Sequence, residues 1–272
     1  MPYESPAASD RSAALRRGLL FIVATSPSWL VTKRFPVLQP VPLLGIMLGV
    51  TLLFLWWDNR SPSELGLELS WRPLAKLVGG LVGGALLIAV IALLLHAILP
   101  FDWAFNKTFV WKFAATGLFY TLVTAFVEEL QFRAYGLERL MTSIGMWPAL
   151  ILVALLFATY HLLHGYTWQL AFTGSVIGSL MFGLVFVRTR SVLASTGFHA
   201  ATNWVRETVF SDPPTLRTWF GPVAGRNWTA HELQTTTIIF NGVALVACAL
   251  LYWSIRRSER RLAGSDTGAR VR

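Results

Sequence analysis

Six largely apolar runs, at 41–57, 77–99, 109–130, 147–163, 168–187 and 235–255, decide what this chain can fold into. About 20 helical residues cross the roughly 30 Å of bilayer hydrocarbon. Inside hydrocarbon every backbone N–H and C=O must find its partner within the protein, so continuous runs of this length read as helices. Two further segments are weaker. Residues 18–31 follow Arg16 and Arg17 and contain Pro27, which fits a short span, an interfacial helix or a signal peptide. Residues 191–207 are only moderately apolar but sit between two good spans. Counting both, the expected fold is all-α, a polytopic transmembrane bundle of about eight spans.

Composition agrees. Hydrophobic residues make up 54% and charged residues 14% of the chain, whereas a soluble domain carries about a quarter charged. The net charge of +9 would suit a nucleic-acid partner, but the basic residues lie between the apolar runs and not in one patch. With eight spans, sixteen Lys and Arg fall on the side of the termini and seven on the other. That bias places both termini in the cytoplasm of a cell (inner or plasma) membrane. The chain then divides into a cytoplasmic segment at 1–17, a bundle at 18–255 and a basic tail at 256–272, polar enough to be expected disordered. Cys248 is the single cysteine, so disulfides and cysteine-based metal clusters are excluded. Gly79, Gly80, Gly83 and Gly84, and Gly174 with Gly178, have the spacing that lets helix backbones approach closely in lipid.

Ionisable groups in hydrocarbon are costly and mark function by default. Three clusters occur: Glu128-Glu129 with Arg133, Phe157 with His161, and His199 with Asn203. A helix from Thr108 through Leu140, a turn at Ser143–Met146 and a second helix from Trp147 make a hairpin. Glu128 and His161 each lie 14 residues from its turn, about 21 Å of helix, and so at equal depth. His199 and Asn203 are i, i+4 and share a face. Glu129 and Arg133 are also i, i+4, acid first, and neutralise one another. Glu128 is rotated about 100° away with no local cation; it is the carboxylate suited to proton transfer, as general base.

These motifs, EExxxR, FxxxH and HxxxN in order on successive spans, resemble the CPBP family of CAAX proteases and bacteriocin-processing proteins, also called the Abi family, over about 108–207. The resemblance implies an intramembrane endopeptidase that cuts near the C-terminus of a membrane-tethered protein or peptide. It implies that Glu128 and His161 activate water, that His199 and Asn203 stabilise the oxyanion, and that Arg133 and Phe157 give structural support. Family members are often labelled metalloproteases, and zinc or another divalent ion on Glu128, His161 and His199 is a chemically reasonable variant. EExxxR lacks the i, i+4 His pair of helical zinc sites, so no obligatory cofactor is expected. One departure is Ala134, where glycine commonly follows the arginine.

Other motifs fall away. His231-Glu232-Leu233-Gln234-Thr235 has Thr where a second zinc-binding His belongs. Gly174-Ser175-Val176 lacks a serine-protease elbow, and Asp266-Thr267-Gly268 occurs once, in the tail. Two other classes compete with a peptidase: a non-catalytic immunity or scaffold protein of the same fold, and a proton-coupled transporter, against which the missing internal repeat argues. The weak span at 191–207 suggests a water-lined cavity opening to the cytoplasmic leaflet.

Overall fold

The structure is a computed structural model that describes residues 8–28, 34, 40–68, 70–99, 103–210, 219–222 and 229–269. The helices are α1 (Ala8–Thr25), α2 (Val41–Trp57), α3 (Trp71–Ile98), α4 (Trp111–Phe132), α5 (Tyr135–Ile144) and α6 (Met146–Leu163), followed by α7 (Trp168–Thr189), α8 (Val192–Phe210) and α9 (Ala230–Ala269). Two three-residue strands, β1 (Trp103–Phe105) and β2 (Phe220–Pro222), pair antiparallel outside the helices. Five segments are long and apolar enough to cross a membrane: α3, α4 with α5, α6, α7 and α9. With the shorter apolar α2, and with α1 and α8, the described residues make eight helical columns. This is the expected all-α membrane bundle.

Several boundaries differ from expectation. The first helix begins at Ala8, so residue 18 is no boundary, and residues 29–31 lie outside the described part. The tail is not disordered through 256–269, because α9 continues to Ala269. The expected hairpin turn is present: Gly145 takes φ +86 between α5 and α6, a conformation glycine adopts without strain. The helix before it, however, does not run through to Leu140. It breaks at Arg133 and Ala134, whose amides both donate to the Glu129 carbonyl, and Ala134 leaves helical space with ψ −116. Its φ of −69 is negative, so the sign of φ does not call for glycine at this position.

Inside α7, Ala171–Ser175 form a π-turn. The HExxH-like segment at the start of α9 is a capping box. The Thr229 side chain accepts from the Glu232 amide and the Glu232 carboxylate accepts from the Thr229 amide.

The closest helix pair is α3 with α8. A Cβ on Gly80, Gly84 or Gly197 would overlap the carbonyl oxygen of Ala194, Phe198 or Leu77 respectively. Gly79 has open space beside it, and Gly174 and Gly178 meet only side chains of their own helix. The second pair therefore serves no helix contact; both glycines line a cavity instead.

At the end of the bundle holding the α7–α8 connection, an ion network ties four segments together. Asp58 accepts from Tyr135 at 2.6 Å, pairs with Arg17 at 2.7 Å and also meets Arg139, while Glu138 takes Arg60 and Arg190. Burial raises the Asp58 pKa, but the Tyr135 hydrogen bond and the two arginines outweigh it and hold the carboxyl below the usual aspartate value. Its contribution to stability is present above the unfolded value and is lost as pH falls through the folded one.

Gly80→Ala and Gly197→Ala are expected to cost about 3 kcal/mol or more, by forcing backbones apart. Gly79→Ala is expected to be near neutral. Thermal unfolding of the three variants in detergent checks this, and equal midpoints would refute the backbone contact.

Candidate active site

Three breaks in regularity set up the site. The end of α4 at Arg133 turns the guanidinium back on its own helix, beside Glu129. The glycine seam presses α8 against α3, and this fixes where His199 stands. The close of α6 carries Phe157 and His161.

Glu129 and Arg133 are both wholly buried, and Arg133 Nη1 lies 3.3 Å from Glu129 Oε1. The expected i, i+4 neutralisation is thus present. Glu129 does more: Oε2 accepts from the Ser195 hydroxyl at 2.5 Å, and Oε1 accepts from His199 Nδ1 at 2.9 Å. Arg133 donates to Ser179 at 2.9 Å, and its guanidinium lies 4.3 Å from the centroid of the Phe157 ring. That aromatic face stabilises a desolvated cation whose Nε has no acceptor.

A carboxylate only accepts, so Nδ1 of His199 carries the proton and Nε2 is left to face the site. Phe182 stacks on the ring at 4.1 Å between centroids and holds its plane. On the other side stands Glu128, with Oε2 3.7 Å from His199 Nε2 and 18% of its side chain accessible. His161 follows the same rule. Its Nδ1 lies 2.9 Å from the Phe157 carbonyl, which can only accept, so Nε2 again faces outward.

A cavity of about 810 Å³ lies beside these groups. His161, His199 and Asn203 line it, with Phe157 and Phe182, and Glu128 does not. Its walls come from the C-terminal halves of α3 and α8 and the N-terminal halves of α7 and α9. It therefore occupies the half of the bundle toward the β1–β2 ribbon, away from the α7–α8 connection at Arg190. An opening toward Arg190 was the expectation. The polar residues that suggested it, Ser191, Ser195 and Thr196, are buried, and Ser195 is spent on Glu129.

Three of the sequence-derived residues, Glu128, Glu129 and His199, are in direct mutual contact. His161 and Asn203 join them through the cavity wall. Ser195, Ser179 and Phe182 were not foreseen. Ser195 is four residues before His199 on the same face, a legible signal; Ser179 and Phe182 reach the site only through the packing of α7. Among the described residues no three His, Cys, Asp or Glu side chains gather as a metal cage. Glu128, His161 and His199 therefore do not fit a three-ligand zinc site as they stand, and no step below runs through a metal.

A family model described as type II CAAX prenyl endopeptidase Rce1-like matches residues 110–205. This segment is Rce1-like. It runs from the residue before α4 into α8 and takes in Glu128, Glu129, Arg133, Phe157, His161, His199 and Asn203. No curated protein and no solved structure matches the chain. Helices α1 to α3 and α9 lie outside the Rce1-like segment, yet α3 and α9 supply two walls of its cavity.

Glu129→Gln removes the countercharge of a buried arginine and is expected to cost about 3–5 kcal/mol. Ser195→Ala leaves the ion pair in place and should cost about 1–2 kcal/mol. Unfolding midpoints in detergent check the order; equal losses would show that the Glu129–Arg133 pair does not hold the helix break.

Proposed function

We propose that the protein is an intramembrane endopeptidase that hydrolyses a peptide bond near the C-terminus of a membrane-tethered protein or peptide. The observation that carries the reading is the placement of His199 between two carboxylates of different standing. Nδ1 is fixed by a buried Glu129 with no accessible surface, and Nε2, on a ring that lines the cavity, faces a partly accessible Glu128 at 3.7 Å. A structural pair needs only the first carboxylate. The Rce1-like match over the same residues supports the reaction class.

In this mechanism Glu128 takes a proton from water as the water oxygen attacks the scissile carbonyl, and His161 Nε2 accepts a hydrogen bond that orients that water. The tetrahedral oxyanion receives the Asn203 amide and His199 Nε2–H, the latter when the ring carries both protons and each nitrogen faces a carboxylate. Each such donor is worth about 3–4 kcal/mol in typical acyl-transfer sites. Collapse breaks the C–N bond, and Glu128 returns its proton to the leaving amine. Glu129 is a positioning residue: it accepts from Ser195 and His199 and pairs with Arg133.

The charge bias supports cytoplasmic termini. On that orientation the cavity belongs to the extracytoplasmic half of the membrane, and the substrate segment reaches it there from the lipid.

Two measurements test this. Comparing C-terminal proteomes of cells with and without the protein supplies a substrate. On that substrate Glu128→Gln is expected to lower kcat by about 10²- to 10⁴-fold with little change in the unfolding midpoint. Cleavage at the wild-type rate would overturn the reading. For orientation, Cys248→Ser with a single cysteine at Thr173 or Thr237 on the cavity wall should react with an impermeant thiol reagent from outside intact cells. Reaction only in inverted vesicles would reverse the orientation.

A further inference from the structure

Beyond the residues placed in the reaction, one cation borders the cavity. Arg206 lies on α8, with His199 and Asn203 seven and three residues before it. At i, i+4 and i+7 the three share one helix face. The rise from His199 to Arg206 is about 10 Å, a distance that a few residues of extended peptide cover. Among the described residues Arg206 has no ion-pair partner, whereas its neighbour Glu207 is already engaged. Every other arginine in contact with the site or its supporting network is matched to an acid.

A second observation comes from the facing helix. Thr236 on α9 lines the same cavity, and its hydroxyl is buried with no hydrogen-bond partner. A buried hydroxyl left unpaired is unfavourable unless a ligand completes it. The same wall carries Leu87, Ile88 and Ile91 from α3, Phe240 and Asn241 from α9, and Glu207 beside Arg206. A mainly apolar chamber bordered by an unpaired guanidinium and a hydroxyl fits an apolar peptide segment that ends in a carboxylate. Arginine's planar fork binds that group through two parallel N–H···O bonds.

We propose that Arg206, with Thr236 on the same cavity wall, forms a subsite for the free C-terminal carboxylate of the substrate, so that the rise along α8 from His199 to Arg206 sets how far from its end a chain is cut. This rests on the peptidase reading above. It makes the enzyme sensitive to the chain end and blind to internal bonds of the same sequence.

The test uses a substrate peptide in three forms: free acid, C-terminal carboxamide, and carboxamide with glutamate as the last residue. Binding is measured by fluorescence anisotropy to the full-length Glu128→Gln protein in detergent, and kcat and KM are measured on the active protein. The free acid is expected to bind about 10- to 100-fold more tightly than the carboxamide, and the loss on amidation should fall on KM. Adding Arg206→Gln should erase the difference, Arg206→Lys should keep part of it, and Thr236→Val should narrow it several-fold. Equal affinity for acid and carboxamide would overturn the subsite, as would recovery by the glutamate carboxamide, which would mean that a side-chain carboxylate is read. If Glu128→Gln still cleaves, the peptidase reading falls, while an acid preference that depends on Arg206 would still establish the carboxylate site.

Discussion

The Glu129–Arg133 pair is the interaction on which the rest of the site hangs. Two fully desolvated charges four residues apart hold the end of α4, and the same carboxylate takes a hydroxyl and an imidazole from α8. Burial of a lone charge in a bundle of this kind is prohibitive, so the pair exists only while α4, α7 and α8 are all in place. Arg133 depends on Ser179 of α7 and on the face of Phe157, while Glu129 depends on Ser195 and His199. Four helices therefore meet at one ion pair, and its carboxylate fixes the tautomer of the imidazole facing Glu128.

The division of labour between two adjacent glutamates follows from helix geometry alone. One residue apart means about 100° apart, so a single helix turns one acid inward to the ion pair and the other, partly accessible, toward His199 Nε2. Neither job suits the other residue. A carboxylate with no accessible surface is out of reach of water, and Glu128, with no arginine beside it, has no countercharge with which to anchor a helix.

Much of this was legible in the sequence, for identifiable reasons. Apolar runs near twenty residues gave the helices, because in lipid the backbone has no other way to satisfy itself. The i, i+4 spacing gave Glu129 with Arg133 and His199 with Asn203. What was hidden depended on contacts between distant segments. The break at Ala134, which interrupts the continuous helix expected between Glu128 and the turn at Gly145, carries no local propensity signal. The direction of the cavity follows from Ser195 being committed to Glu129, so the polarity of α8 near Arg190 is internal bonding and not a wet wall. Of the two glycine patterns only Gly80 and Gly84 meet a backbone. Spacing alone cannot tell a glycine that admits a neighbouring helix from one that leaves room for a ligand.

The seam between α3 and α8 has a mechanical consequence. Contact there is made backbone to backbone, with no rotamers to rearrange, so the register of His199 and Asn203 against α3 is as stiff as covalent geometry allows. The opposite wall is different: only 6% of the apolar stretch of α9 is buried against the rest of the protein. The chamber is thus a vice with one fixed jaw and one sliding jaw. Thermal breathing, or the widening needed to admit a side chain, falls on α9, and the spacing of His199 and Asn203 along α8 stays the same while the chamber changes its width.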